Sequence, residues 1–92
     1  MDLHIKDVLK RYVQKKEIKG GYYQQRIRAY WENKMGTSIV SRTEKLTFRY
    51  GELVIHVQSA ALKNELFLSR ARIKELINEH FNEDIVEKVT IR

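Results

Sequence analysis

The sequence predicts a small two-layer α+β domain with the order α-α-β-β-α-α-β, in which helices cover one face of a three-stranded sheet. Two alternating runs, around Leu46–Tyr50 and Leu53–Val57, flank a glycine and read as adjacent strands. Helix-periodic stretches lie on both sides of that pair. A short alternating run, Val86 to Arg92, follows the last helical stretch as a third strand.

The elements follow in order. Ile5, Val8, Leu9 and Tyr12 recur on one helical face and place a first helix over 3–16, with Lys6 and Lys10 on its other side. Gly20-Gly21 breaks it. Tyr23, Ile27, Tyr30 and Trp31 share one face of a second helix over 22–35, flanked by Arg26, Arg28 and Lys34, and Gly36 is its expected stop. Residues 37–43 are expected to be a loop. The first strand ends at Tyr50, Gly51-Glu52 is the expected turn, and LVIHV is the second strand. Ser59 is placed to cap the helix that begins at Ala60.

Leu62, Leu66, Ser69, Ile73, Leu76, Ile77 and His80 form one stripe over 60–81, which Phe67 and Leu68 do not fit. A break near Ser69, with Ser69 capping a second helix, is expected to turn both inward. Asn82 to Asp84 read as a polar turn. In the last strand Val89 and Ile91 point inward. The outward strand positions are then Lys45, Thr47 and Arg49, Val54 and His56, and Lys88, Thr90 and Arg92. By this parity Arg49, His56 and Arg92 are expected near one another on a mostly basic outer face.

Ninety-two residues at 42% hydrophobic content suffice for one core, so a single domain over 1–92 is expected, with 1–19 as an N-terminal helix and 22–92 as the core unit. There is no Cys, so neither disulfide nor thiolate chemistry enters, as fits a reducing cytoplasm. No signal-peptide core or bilayer-length apolar run is found, and no membrane partner is expected. The net charge of +6 is unevenly spread. Residues 1–50 hold 12 Lys/Arg against 5 Asp/Glu, a net +7, and residues 51–92 hold 6 against 7, a net −1. This basic half suits a polyanion, nucleic acid first, although a solvated surface that aids solubility explains the charge equally well. Candidate phosphate contacts are Lys6, Lys10, Arg26, Arg28, Arg42, Lys45 and Arg49.

Trp31 and Tyr22 are the candidate partner contacts. Trp31 lies at the margin of its apolar face, so it reads either as core or as an anchor for a protein or a base. Tyr22 points away from that face. An enzymatic role is not expected. His4, His56 and His80 lie on separate elements without metal-ligand spacing, Glu83, Asp84 and Glu87 read as an ordinary acidic turn, and there is no nucleotide-binding glycine loop. Neither a cofactor nor a small-molecule substrate is expected.

The strand-turn-strand KLTFRYGELVIHVQS, the following AALKNELFLSRARIKELIN, the closing VEKVTIR and the Trp near a helix end resemble the DciA family of bacterial replicative helicase loaders. The likeness covers residues 22–92 and rests on apolar pattern and a few marked residues. It implies a K-homology-like domain of type II order that serves DNA replication by binding DNA, single-stranded or forked, and the hexameric replicative helicase. Trp31 matches the family's marked Trp. The junction Phe67-Leu68-Ser69-Arg70 lacks the Gly-x-x-Gly with which RNA-binding K-homology domains grip a backbone. An RNA-binding K-homology-like module and a purely protein-binding adaptor remain the alternatives.

Overall fold

The computed structural model describes residues 21–92. The helix expected over 3–16, with Lys6 and Lys10, lies outside the described residues. Helix α1 occupies 21–34 and is followed by α2 (Gly36–Arg42), β1 (Thr43–Arg49), β2 (Glu52–Val57), α3 (Ala60–Leu68), α4 (Arg70–Phe81) and β3 (Lys88–Ile91). The class is α+β and the described order is α-α-β-β-α-α-β, with the second helix supplied by 36–42 rather than by 22–35. The chain turns at Gly36, at φ +78°, and re-enters a helix where a loop was expected. Ile39 and Val40 pack against the core from this helix, and the Thr43 hydroxyl donates to the Ile39 carbonyl at 2.8 Å, engaging one of its end carbonyls.

The sheet has the order β1-β2-β3, with β1 antiparallel and β3 parallel to the central β2. The β1–β2 turn is Tyr50-Gly51, one residue earlier than expected, and Glu52 already belongs to β2. Both turn residues have positive φ, 52° and 81°, as a tight two-residue hairpin connection that matches strand twist requires. Between Thr43 and Lys45 the register shifts. This bulge sets Thr43 opposite the inward-facing Val57 while Lys45 stands opposite the outward-facing His56.

Helices cover the other face. Ile27, Trp31, Leu46, Leu53, Ile55, Ile77 and Val86 are among the residues of one buried cluster. Ser59 caps α3, its hydroxyl accepting from the Leu62 N–H at 3.2 Å. The break near Ser69 is present, but the Ser69 side chain makes no cap bond to α4. Phe67 and Leu68 do not turn inward; they are 46% and 74% exposed. Leu62 and Leu66 already hold the core side of α3, and the next two residues sit roughly 100° and 200° further round the helix. The break redirects α4 only after these positions are passed.

Among the described residues Asn78 is the one buried polar side chain. Its amide donates to the Val86 carbonyl at 2.9 Å and its carbonyl accepts from the Val86 N–H at 2.8 Å. The pair fixes α4 to the chain entering β3, in place of the strand partner that Val86 lacks there. Asn78→Leu keeps the side-chain size but orphans two buried backbone groups. We expect it to cost about 2 kcal/mol or more, read as a lowered midpoint in urea or thermal unfolding.

Candidate nucleic-acid interface

Strand parity leaves one sheet face that no described helix covers. Register gives its rows: Lys45 beside His56, Thr47 beside Val54 and Thr90, and Arg49 beside Glu52 and Lys88. Arg92 continues the pairing past β3. Its N–H donates to the Ile55 carbonyl, and its carbonyl accepts from the Val57 N–H, so it flanks His56. Lys45, His56 and Arg92 therefore stand side by side across three strands, at about 5 Å per strand. Arg42 is exposed at the same end of the sheet, where its carbonyl accepts from the Gln58 N–H; the bulge residue Glu44 is the nearby acid in the chain.

The expected trio Arg49, His56 and Arg92 is thus corrected in one member. Arg49 shares their face but lies four residues along β2 from His56, about 13 Å away, at the turn end. Lys45 takes its place because the strands run antiparallel. At the turn end Glu52 sits between Arg49 and Lys88 and accepts a 2.6 Å hydrogen bond from the Thr90 hydroxyl. Glu52 offsets part of the charge at that end, whereas the Lys45–His56–Arg92 row contains no acid.

The helical candidates are dispersed. Arg28 is paired with Glu32 one turn on, at 3.1 Å between exposed groups. Arg26 lies over the Tyr22 ring, 4.5 Å from its centroid, and Tyr22 is 53% exposed. Arg49 likewise lies over the Tyr50 ring. Trp31 is in the core rather than at its margin, at 1% exposure. Its indole N–H donates to the Thr43 hydroxyl at 3.1 Å, so the ring presents no free face or edge to a partner. Among the described residues no group of three or more His, Cys, Asp or Glu is placed to hold a metal ion, and no helix is long and apolar enough to cross a membrane.

What the sequence missed is mostly pairing. The outward residues follow from alternation, but which of them are neighbours follows from the register and from a bulge without a glycine to mark it.

With this geometry in hand, comparison with known proteins gives one result. Residues 4–91 match the family model described as Dna[CI] antecedent, DciA. The chain belongs to the DciA family. No curated protein and no solved structure gives a match. DciA proteins are helicase-loader and adaptor proteins of bacterial DNA replication, and this chain has a helicase-loading-associated role.

Two predictions follow from the side chains that hold α1. Trp31→Ala removes a fully buried ring and is expected to cost about 3–5 kcal/mol, enough to unfold much of a domain this small. Thermal unfolding measured beside helicase binding separates loss of fold from loss of contact. If the variant stays folded and loses the helicase, Trp31 acts at the surface after all. The second concerns Tyr23, whose hydroxyl donates to Glu83 at 2.6 Å. This bond, then burial and the Glu83 charge, pushes the phenol up from 10.0 to about 12. The protonated phenol is the form the fold favours, so the bond's contribution is intact below pH 10 and is lost as pH rises through about 12. Tyr23→Phe should flatten the alkaline limb of a stability–pH curve over that window.

Proposed function

We propose that this chain is a non-catalytic, K-homology-like nucleic-acid-binding protein of the bacterial cytoplasm that assists loading of the replicative helicase, and that single-stranded DNA lies along its open sheet face. The observation that carries this reading is the row Lys45–His56–Arg92. It places two permanent cations and an imidazole side by side on a face that no described helix covers. Phosphates spaced along a single strand need cations spread along a track rather than a pocket, and contact of this kind is tolerant of sequence. Arg42 extends the track at one end, and Arg49 and Lys88 extend it at the other.

The α3–α4 junction does not favour the RNA-binding alternative. The Ser69 N–H is already engaged by the carbonyls of α3, including Glu65 and Leu66 at 3.1 Å, and large side chains flank it. A backbone grip of the Gly-x-x-Gly kind needs open amides and close approach. For the helicase, the exposed Tyr22 with Arg26 stacked on it is the better placed of the two expected contacts, since an aromatic–guanidinium pair suits an interface anchor.

The test is titration of labelled oligo(dT) at several salt concentrations. Lys45→Gln with Arg92→Gln should weaken binding at least severalfold and reduce the salt slope by about 0.7 per lost phosphate contact. Arg28→Gln, a residue already paired with Glu32, should change neither by much. Unchanged affinity and slope in the double variant would remove the sheet face from the reading. Co-purification of the parent chain with the replicative helicase, and its loss in Tyr22→Ala, tests the partner half.

A further inference from the structure

The outer edge of β3 differs from every other part of the sheet. Lys88 and Arg92 turn their amides toward β2, donating to the carbonyls of Gly51 and Ile55. By alternation Val89 and Ile91 turn their backbone N–H and C=O outward, and no described strand pairs with them. At the opposite edge Gln24 Oε1 accepts from the outward Phe48 N–H at 3.0 Å, so one of its amides is already engaged. Beside the open edge runs a shallow groove of about 320 Å³ between β3 and the α3–α4 junction. Phe67 and Leu68, apolar side chains that the core leaves out, line it with three cations, Arg70, Lys74 and Lys88, against one acid, Glu87. The Arg70 guanidinium lies 3.7 Å from the Phe67 ring centroid, and its Nε donates to the Phe67 carbonyl, so this rim is held in place.

We propose that this edge accepts an extended segment of a partner protein, rich in acidic and apolar residues, which adds to β3 as a fourth strand. Backbone pairing with Val89 and Ile91 supplies the register. Apolar side chains on one face of the added strand meet Phe67 and Leu68, carboxylates on its other face meet Lys88, and Arg70 and Lys74 add a positive field over the groove. Charge selects this occupant over two others. A second copy paired edge to edge brings Lys88 and Arg92 against their own kind. Residues 1–20 of the chain hold six Lys/Arg against three Asp/Glu and carry the wrong sign. A nucleic acid leaves the apolar pair and the paired row of edge donors and acceptors poorly matched.

The surface shares Lys88 with the far end of the DNA track but none of the Lys45–His56–Arg92 row, and the variants below are chosen outside Lys88, so the two readings fail separately. The probe is an acetylated decapeptide of alternating Glu and Val, titrated into the full chain by fluorescence anisotropy, with amide hydrogen exchange followed by NMR. We expect it to bind, its Lys/Val counterpart to bind at least tenfold more weakly, and the Val89 and Ile91 amides to exchange at least tenfold more slowly in the complex. Leu68→Glu and Lys74→Glu alter exposed side chains and should keep the fold, checked by thermal unfolding. Each should weaken the peptide at least tenfold, and oligo(dT) binding should stay at the parent level. Lys45→Gln with Arg92→Gln should leave Val89 and Ile91 protected by the peptide. Three results would overturn the proposal: no peptide binding, binding without protection of those two amides, or the same protection produced by oligo(dT) or by raising the concentration of the chain alone.

Discussion

The bond from the Trp31 indole to the Thr43 hydroxyl is the constraint on which the arrangement turns. A buried indole N–H must find an acceptor, and the hydroxyl must then spend its own proton elsewhere, which it does on the Ile39 carbonyl. Thr43 can serve only if it faces inward. The bulge makes that possible, by giving Thr43 the parity of Val57 and sending Lys45 to the side of His56. One hydroxyl thus joins α1, α2 and β1, and the same distortion decides which face receives a cation. Core packing and surface charge are not independent designs in this domain.

Much of the fold is legible because its signals are local. Alternation over Leu46–Tyr50 and Leu53–Val57 gives two strands whose inward sets hold at every position except Tyr50, which falls in the turn and is exposed, and Ser59 opens α3 as a side-chain cap. What escapes is what depends on distant parts. Helix α2 looks polar apart from Ile39 and Val40, and only the core surface and Thr43 that receive it make it helical. Asn78 reads as one more polar residue on a helix until Val86 is seen to lack a strand partner. Phe67 and Leu68 are conspicuous in the sequence because they fit no stripe. The misfit marks exposure: Leu62 and Leu66 fill the core side of α3, and Phe67 and Leu68 stay in solvent.

The basic bias of the first half of the chain also changes meaning in three dimensions. Among the described residues it does not concentrate on α1, where Arg28 is spent on Glu32 and Arg26 on Tyr22. The uncovered row instead joins Lys45 from the basic half to Arg92 from the near-neutral half. Charge counted along a sequence finds the sign of a partner; strand pairing finds its place.

Gln24 has a consequence beyond the single hydrogen bond it makes. By occupying the Phe48 amide with a side chain, it blunts one margin of the sheet and leaves the other uncapped. A sheet open at both margins can pass its pairing from molecule to molecule and grow into a ladder. A side chain seated on one margin makes that margin a poorer template, so pairing at β3 favours ending with the segment that docks there over passing on through the sheet.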